Sequence, residues 1–315
     1  MRKAALLYNP DSGASRRRQR EVESSLEILR SGGIEVELFP TKSPGHAQEV
    51  TRLARGSGCD TIFACGGDGT IGNIAQILAT TTTTLGILPM GTANALAHDL
   101  DLPLSAPEAA QAALRGAPRR VALGRISFLN LDGVPESRYF VVAAGIGVDA
   151  HLFYKLHSGT KQRLGMGAYY AKAGHMWFTY AMPRFRVEYA TGSNAPERAD
   201  VTELLAVRIR NFGGVVQEIA PGASLDRNDV RLILCRTNSR MAYLAYVARS
   251  LLRQSWNIRG IDLAYSTSVS CDYIEATAST PQSKIYVEAD GELIGSLPAE
   301  ISIVPNALTL LAPQK

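Results

Sequence analysis

Apolar residues follow two rhythms along this chain, and the change between them falls near Val121. In the first part, compact apolar runs at residues 3–8, 61–64 and 85–88 predict buried strands. Ile34, Val36 and Leu38 alternate with polar residues and predict another. Between these runs the spacing becomes helical. Val22, Leu26 and Leu29 share one face, which Gly32-Gly33 terminates. Ala47, Val50, Leu53 and Ala54 mark a second helix, and Ile71, Ile74, Ala75 and Leu78 a third. The polar, β-branched run at residues 80–84 predicts a connector. Strands alternating with helices at this spacing predict a parallel sheet covered on both faces. Ligands of such sheets sit at the carboxyl ends of the strands. Asn9, Thr41, Asp68 and Thr92 each lie just past a predicted strand.

After residue 122 the rhythm shortens to strands at 125–129, 139–144, 185–189, 204–210, 231–235, 261–265, 284–289 and 308–311. Two helical stretches interrupt them, an aromatic one from about 150 to 180 and another at 242–252. The expected organisation is an α/β domain over residues 1–122, completed by 306–315, and a β-rich domain over 123–305.

Composition narrows the class. A length of 315 residues suffices for two domains, and 46% hydrophobic with 20% charged residues is ordinary for a globular chain. A net charge of +4 suits an anionic ligand or membrane surface without demanding nucleic acid. Cys59, Cys65, Cys235 and Cys271 have neither metal-type nor disulfide-type spacing, so reduced thiols in a cytoplasmic protein are expected. No apolar run approaches the roughly 18 residues of a membrane span. Arg16, Arg17, Arg18 and Arg20 oppose the dipole of their own helix, and form either a solvated face or a basic lip for phosphates or anionic lipid.

The candidate chemistry centres on Cys65-Gly66-Gly67-Asp68-Gly69-Thr70, where three glycines sit between a strand and a helix. Glycine lets backbone approach a ligand closely, and helix N-termini present unpaired N–H groups, so the segment can cradle phosphate. Asp68 would repel a phosphate unless magnesium bridged the two. A plain turn accounts for the same residues. The dinucleotide reading is weak, because no acid follows the strand at 85–88, and the absence of Gly-Lys-Ser/Thr excludes a Walker-type loop. Asp149 after Gly147 reads as a turn or cap residue, and Glu292 by itself as a hairpin carboxylate.

Five motifs in order complete the picture: Asn9-Pro10-x-Ser12-Gly13, Gly66-Gly67-Asp68-Gly69-Thr70, Gly91-Thr92-x-Asn94, Gly145-x-Gly147-x-Asp149-Ala150 and Asp290-Gly291-Glu292. With them the chain resembles the bacterial diacylglycerol kinase-like lipid kinases, related to sphingosine kinases and distantly to NAD kinases. The resemblance implies an N-terminal α/β nucleotide domain, a C-terminal β-sandwich-like domain and Mg-dependent transfer of phosphate from ATP to a lipid hydroxyl. It implies nucleotide contacts from Asn9, Thr41, Gly66, Gly67, Asp68, Gly69, Thr70, Ile71, Gly72 and Thr92. Asp68 is implied to act through the catalytic Mg2+ and Glu292 to accept the hydroxyl proton. A structural Mg2+ is implied at Asp229, through its carboxylate, and at Asp226 and Arg231, through backbone carbonyls. Asn73, Ala95 and Asp229-Val230 depart from the family pattern.

The expected protein is a cytoplasmic, peripherally membrane-associated lipid kinase with a lipid partner and no nucleic acid. Other acceptors (a sphingoid base, ceramide or NAD) and a catalytically inactive nucleotide- or lipid-binding module are the alternatives. A homodimer through an edge strand is compatible with the sequence but not selected by it.

Overall fold

The structure, a computed structural model, describes residues 1–10, 16–151, 177, 179–191, 195–214, 217–274 and 284–313. The chain divides into two compact units. The first comprises Met1–Leu123, Asn211–Gln217 and Val304–Lys315; the second comprises Gly124–Arg210 and Glu218–Ile303.

The first unit holds four parallel strands, β1 (Lys3–Tyr8), β2 (Glu35–Pro40), β3 (Thr61–Gly66) and β4 (Thr84–Pro89), in the order β4-β3-β1-β2. β3 and β4 are buried along nearly their whole length, as the continuous apolar runs require of a sheet covered on both faces. The helices are α1 (Arg16–Ser31), α2 (Pro44–Gly56), α3 (Asp68–Leu78), α4 (Ala95–Asp99) and α5 (Ala106–Ala113). Val22 and Leu29 of α1 and Ala106, Ala109 and Ala110 of α5 form one core with Ala4, Leu6, Phe63, Cys65 and Leu88. The alternate strand residues Ala5, Leu7, Ile62 and Ala64 are equally buried and point to the opposite face. Ser43 caps α2 by accepting the His46 amide at 3.2 Å.

The second unit is strand-rich. It contains most of β5 (Ala117–Leu129), β6 (Pro135–Phe140), β7 (Ala143–Gly147), β8 (Phe185–Tyr189), β9 (Glu197–Val201), β10 (Glu203–Val207), β11 (Val230–Cys235), β12 (Ile261–Ser266), β13 (Ser268–Tyr273) and β14 (Tyr286–Ala289). The long β15 (Glu292–Ala312) begins in this unit, and its end lies parallel to β4 in the first, with Thr309 opposite Thr84. Antiparallel pairing runs β12-β11-β10-β7-β14-β15. The helix α6 (Arg240–Leu251) is capped by Ser239. Phe140, Phe185, Val187, Leu204, Leu232 and Val287 lie in its core.

Four expected strands change. The strand expected at 139–144 is two strands, β6 and β7, separated at Val141 and Val142. The strand expected at 204–210 ends at Val207, and those expected at 284–289 and 308–311 are a short hairpin arm and the tail of β15. The aromatic stretch expected to be helical from 150 to 180 lies outside the described residues, apart from residues 150, 151, 177, 179 and 180. All four cysteines are free and buried. Burial pushes the thiols of Cys65 and Cys235 up to about 12.

Phe63 is fully buried beneath the sheet face, opposite Gly86, where a Cβ would meet its ring at 2.4 Å. Phe63→Ala is expected to destabilise the first unit by about 3–5 kcal/mol. Urea denaturation followed by circular dichroism measures the change.

Candidate functional site

The carboxyl ends of β1, β2, β3 and β4 lie on one edge of the parallel sheet, with Asn9, Thr41, Asp68 and Thr92 within three residues of them. The turn from β3 into α3 is the tightest of these junctions. Gly67 is the N-cap of α3 and has no side chain to cap with. Its carbonyl accepts from Thr70 and Ile71 N–H at 3.0 and 3.1 Å. The first helical N–H groups thus face outward from a turn of half-buried glycines, with the partial positive charge of an eleven-residue helix behind them.

A second loop meets this turn backbone to backbone. A Cβ on Gly91 would lie 2.5 Å from Gly67 Cα and 2.7 Å from Asn94 Oδ1. Asn94 holds the loop closed: its Oδ1 accepts Gly91 N–H at 2.8 Å and its Nδ2 donates to Gly91 O at 3.1 Å. Its left-handed conformation, φ 50°, is one that Asn adopts more readily than most residues. Asp68 Oδ1 accepts the Leu96 N–H at 3.4 Å, so this carboxylate lies where the two loops converge.

The expected nucleotide residues differ in what they offer. Gly66, Gly67, Gly69 and Thr70 are half-buried around the turn; Thr92 is exposed on the second loop. Ile71 and Gly72 are buried within α3. The Thr41 hydroxyl donates to Tyr8 O at 3.1 Å, which ties β2 to β1. A cavity of about 410 Å³ at the ends of β1 and β3 is lined by Asn9, Arg16, Arg18, Cys65, Gly66 and Met90, among others. Arg16 and Arg18 are among its lining residues, whereas Arg17 and Arg20 are exposed. Asn73 turns back into its own helix, donating to Gly69 O at 2.8 Å.

In the second unit Glu292 is the first residue of β15, after a two-residue turn with Asp290 at φ 49° and Gly291 at φ 79°. Both left-handed positions suit a tight hairpin. Arg138 Nη2 donates to Glu292 Oε2 at 2.6 Å, a pair in which the side chains are 20% and 31% exposed. Asp290 fixes the turn: its carboxylate accepts N–H groups of Val141, Val142 and Ala143 at 2.8–3.2 Å. Those bonds use the amides of Val141 and Val142, which explains why the strand breaks there. Burial raises the Asp290 carboxyl to about 6, against the pull of these three donors.

Asp149, read from sequence as a turn or cap residue, belongs to a cluster of enclosed carboxyl groups. It shares a hydrogen bond with Glu203, and burial raises both above the usual carboxylate range. Glu203 Oε2 also accepts from Val148 and Asp149 N–H. Gly145 makes the room: a Cβ there would stand 2.0 Å from Asp149 Oδ2. Asp149 and Glu203 sit in the wall of an otherwise apolar cavity of about 360 Å³, lined by Trp177, Leu205, Ile219, Ile233, Tyr243 and Val247 among others. The sequence signal for this pair was the glycine spacing around Asp149; Glu203 carries none.

The expected structural-metal residues are arranged around arginines. The Asp229 carboxylate takes two hydrogen bonds from Arg227, at 2.7 and 2.6 Å. Asp226 is exposed, and Arg231 lies inside β11, opposite Val207 and Tyr265. Among the described residues, no three His, Cys, Asp or Glu side chains could together hold a metal ion. For the other implied magnesium, Asp68 is suitable: Mg2+ is commonly bound by one or two carboxylates with substrate phosphates completing its shell.

Comparison with known proteins agrees with this architecture. The family described as Diacylglycerol kinase catalytic domain matches residues 3–126, and the YegS C-terminal NAD kinase beta sandwich-like domain matches residues 141–312. A diacylglycerol kinase of Bacillus subtilis is 26% identical over 318 residues, covering 100% of this chain and 98% of the relative. One from Staphylococcus aureus is 25% identical, covering 99% and 93%. A diacylglycerol kinase crystal structure from Bacillus anthracis has a TM-score of 0.71 at 17% identity, covering 99% and 96% of the two chains. An NAD kinase from Archaeoglobus fulgidus in complex with ATP has a TM-score of 0.53 at 14% identity, covering 99% and 94%. These two structures share the fold: an α/β unit with parallel strands and a β-rich unit.

Two outcomes are expected. Gly91→Ala lowers the melting temperature, because backbone stands where its methyl would go, whereas Gly45→Ala, with nothing within 4 Å of the new methyl, does not. For Asp290 the folded value of about 6 exceeds the ordinary 3.8. Its contribution to stability is therefore full below pH about 3.8 and lost as pH rises through about 6. Asp290→Asn is expected to flatten that part of the melting-temperature profile and to lower the whole profile through lost acceptors.

Proposed function

The chain belongs to the diacylglycerol kinase-like family of lipid kinases, and from that membership we propose that it transfers the γ-phosphate of ATP to the hydroxyl of a diacylglycerol-like lipid. The observation that carries the reading is Asp68, a carboxylate set beside outward-facing helix N–H groups at the strand-end edge of a parallel sheet. Phosphates and a carboxylate share a turn comfortably when a divalent cation lies between them.

The residues take these roles. Gly66 to Thr70 supply close backbone approach and N–H donors for the phosphates, with Arg16 and Arg18 adding positive charge along the neighbouring cavity. Asp68 holds Mg2+, which when bound neutralises charge on the transferring phosphoryl group. Glu292 accepts the proton of the attacking hydroxyl. Arg138 positions Glu292 through their 2.6 Å ion pair. The apolar cavity beside Asp149 and Glu203 is of a kind that takes a hydrocarbon chain, with hydrogen-bonding groups at one wall for a head group.

Access to such a lipid is a membrane-surface problem. Among the described residues, no helix is long and apolar enough to cross a membrane. On α6, however, Met241, Leu244, Val247 and Leu251 recur at helical spacing, are each 41% exposed or more, and fall on one face. Leu244 and Val247 also line the apolar cavity. This exposed face favours peripheral association with the bilayer, where apolar side chains enter the acyl boundary.

Labelled γ-phosphate transfer to extracted lipids tests the reaction. Wild type is expected to label one lipid class, identified by mass spectrometry. Glu292→Gln and Asp68→Asn are each expected to lower kcat by about 10²–10⁴ while remaining folded. Absence of labelling from the wild type with every lipid offered would leave a nucleotide- or lipid-binding module. Leu244→Asp is expected to weaken sedimentation with phospholipid vesicles without altering the melting temperature.

A further inference from the structure

Among the described residues, Arg208 is the largest fully buried side chain. It follows β10 directly, and its backbone N–H donates to Val142 O at 2.8 Å. Its guanidinium reaches into the loop before β11. There Nη1 donates to the carbonyl oxygens of Arg227, at 2.8 Å, and Asp229, and Nη2 donates to Leu225 O at 3.4 Å. Three carbonyls of one short loop thus converge on one positive group.

The rest of the loop is tied in the same manner. Arg231 Nε donates to Pro221 O at 2.9 Å and Tyr265 Oη to Gly222 O at 3.1 Å. Arg227 and Arg231 lie over the Tyr265 ring at 4.0 and 4.1 Å from its centroid. Arg227 also occupies the Asp229 carboxylate from two directions. Carbonyl oxygens gathered on a cation are the arrangement by which loops bind hard metal ions. Here a guanidinium gathers the carbonyls of residues 225, 227 and 229, and the Asp229 carboxylate is paired with a second one.

We propose that Arg208 is the resident cation of the 225–229 loop, so that the loop closes on a guanidinium and takes no structural metal ion. Arginine is suited to the task. It stays charged at any working pH, and its planar fork carries several donors at fixed angles. A divalent ion bound through the Asp229 carboxylate would have to displace the Arg227 donors and would meet the charges of Arg208 and Arg231.

Nucleotide-free protein, treated with EDTA and then titrated with Mn2+, tests this by electron paramagnetic resonance and by melting temperature. The wild type is expected to melt at the same temperature with and without Mn2+. It is also expected to bind no Mn2+ that Asp229→Asn removes. One bound Mn2+ that is lost in Asp229→Asn but retained in Asp68→Asn would overturn the proposal, and it separates this loop from any metal held at Asp68. Arg208→Met is expected to melt lower than wild type, with part of the loss recovered in Arg208→Lys. An Arg208→Met protein that melts like wild type would also overturn it. If Arg208→Met does not fold, the wild-type Mn2+ titration decides alone.

Discussion

The first unit is arranged around one close approach, that of Gly67 to Gly91. A side chain at Gly91 would collide with backbone, the atoms least able to move, and one at Gly67 would stand only 3.0 Å from Gly91 Cα. The contact can exist because β3 and β4 are adjacent and parallel, in register from Thr61–Thr84 to Gly66–Pro89, so both strand-end loops emerge side by side. Met90 N–H donating to Gly66 O at 3.0 Å extends the pairing one step past the strands. Asn94 then locks the second loop from within. Two loops held this way give Asp68 a fixed direction, which a carboxylate on a freely moving turn would lack. Positioning of this kind is most of what phosphoryl transfer asks of a protein.

The second unit solves a related problem with a carboxylate instead of glycines. Asp290 gathers three consecutive amides into its side chain, and this interrupts the strand and anchors the hairpin turn at once. Gly291 N–H adds a bond to Glu288 at 2.8 Å. Glu292, two residues from Asp290, inherits a rigid base. Burying so much carboxyl chemistry in a sheet has an electrostatic cost. Glu288, like Asp149 and Glu203, is pushed up by burial, which disfavours the charged form of each.

Much of the first unit was legible because its signals are local. Continuous apolar runs marked buried parallel strands, and polar residues just past them fell on one edge. The losses lie where a distant residue decides. The break between β6 and β7 is made by Asp290, 149 positions from Val141. The early end of β10 is made by the loop that draws in Arg208, 17–21 positions on. β9 is half-exposed and charged, ERADV, and β13 alternates Ser with small buried residues, SVSCDY, so neither presents the bulky apolar face that marks a strand. The segment Asn211–Gln217, which groups with the first unit, carries no periodicity to announce it. The motif residues were legible as positions, not as partners: nothing local says that Asn73 bonds to Gly69 O, or that Arg138 meets Glu292.

The loop before β11 shows how one geometrical problem admits two chemical answers. A tight loop turns several carbonyl oxygens inward, where each needs a donor or a cation once water is excluded. A metal ion gathers them with one strong charge, but its occupancy then varies with ion supply. A guanidinium gathers fewer oxygens, each by a directional bond, and its concentration is set by the chain itself. Placing that guanidinium at Arg208 requires β10 to stop at Val207 and the side chain to be fully buried, both of which are seen. It also requires neighbouring carboxylates to be satisfied elsewhere, and Asp229 is, by Arg227. The early strand end, the buried arginine and the paired aspartate are thus one structural solution, in which the loop's cation is covalently part of the protein.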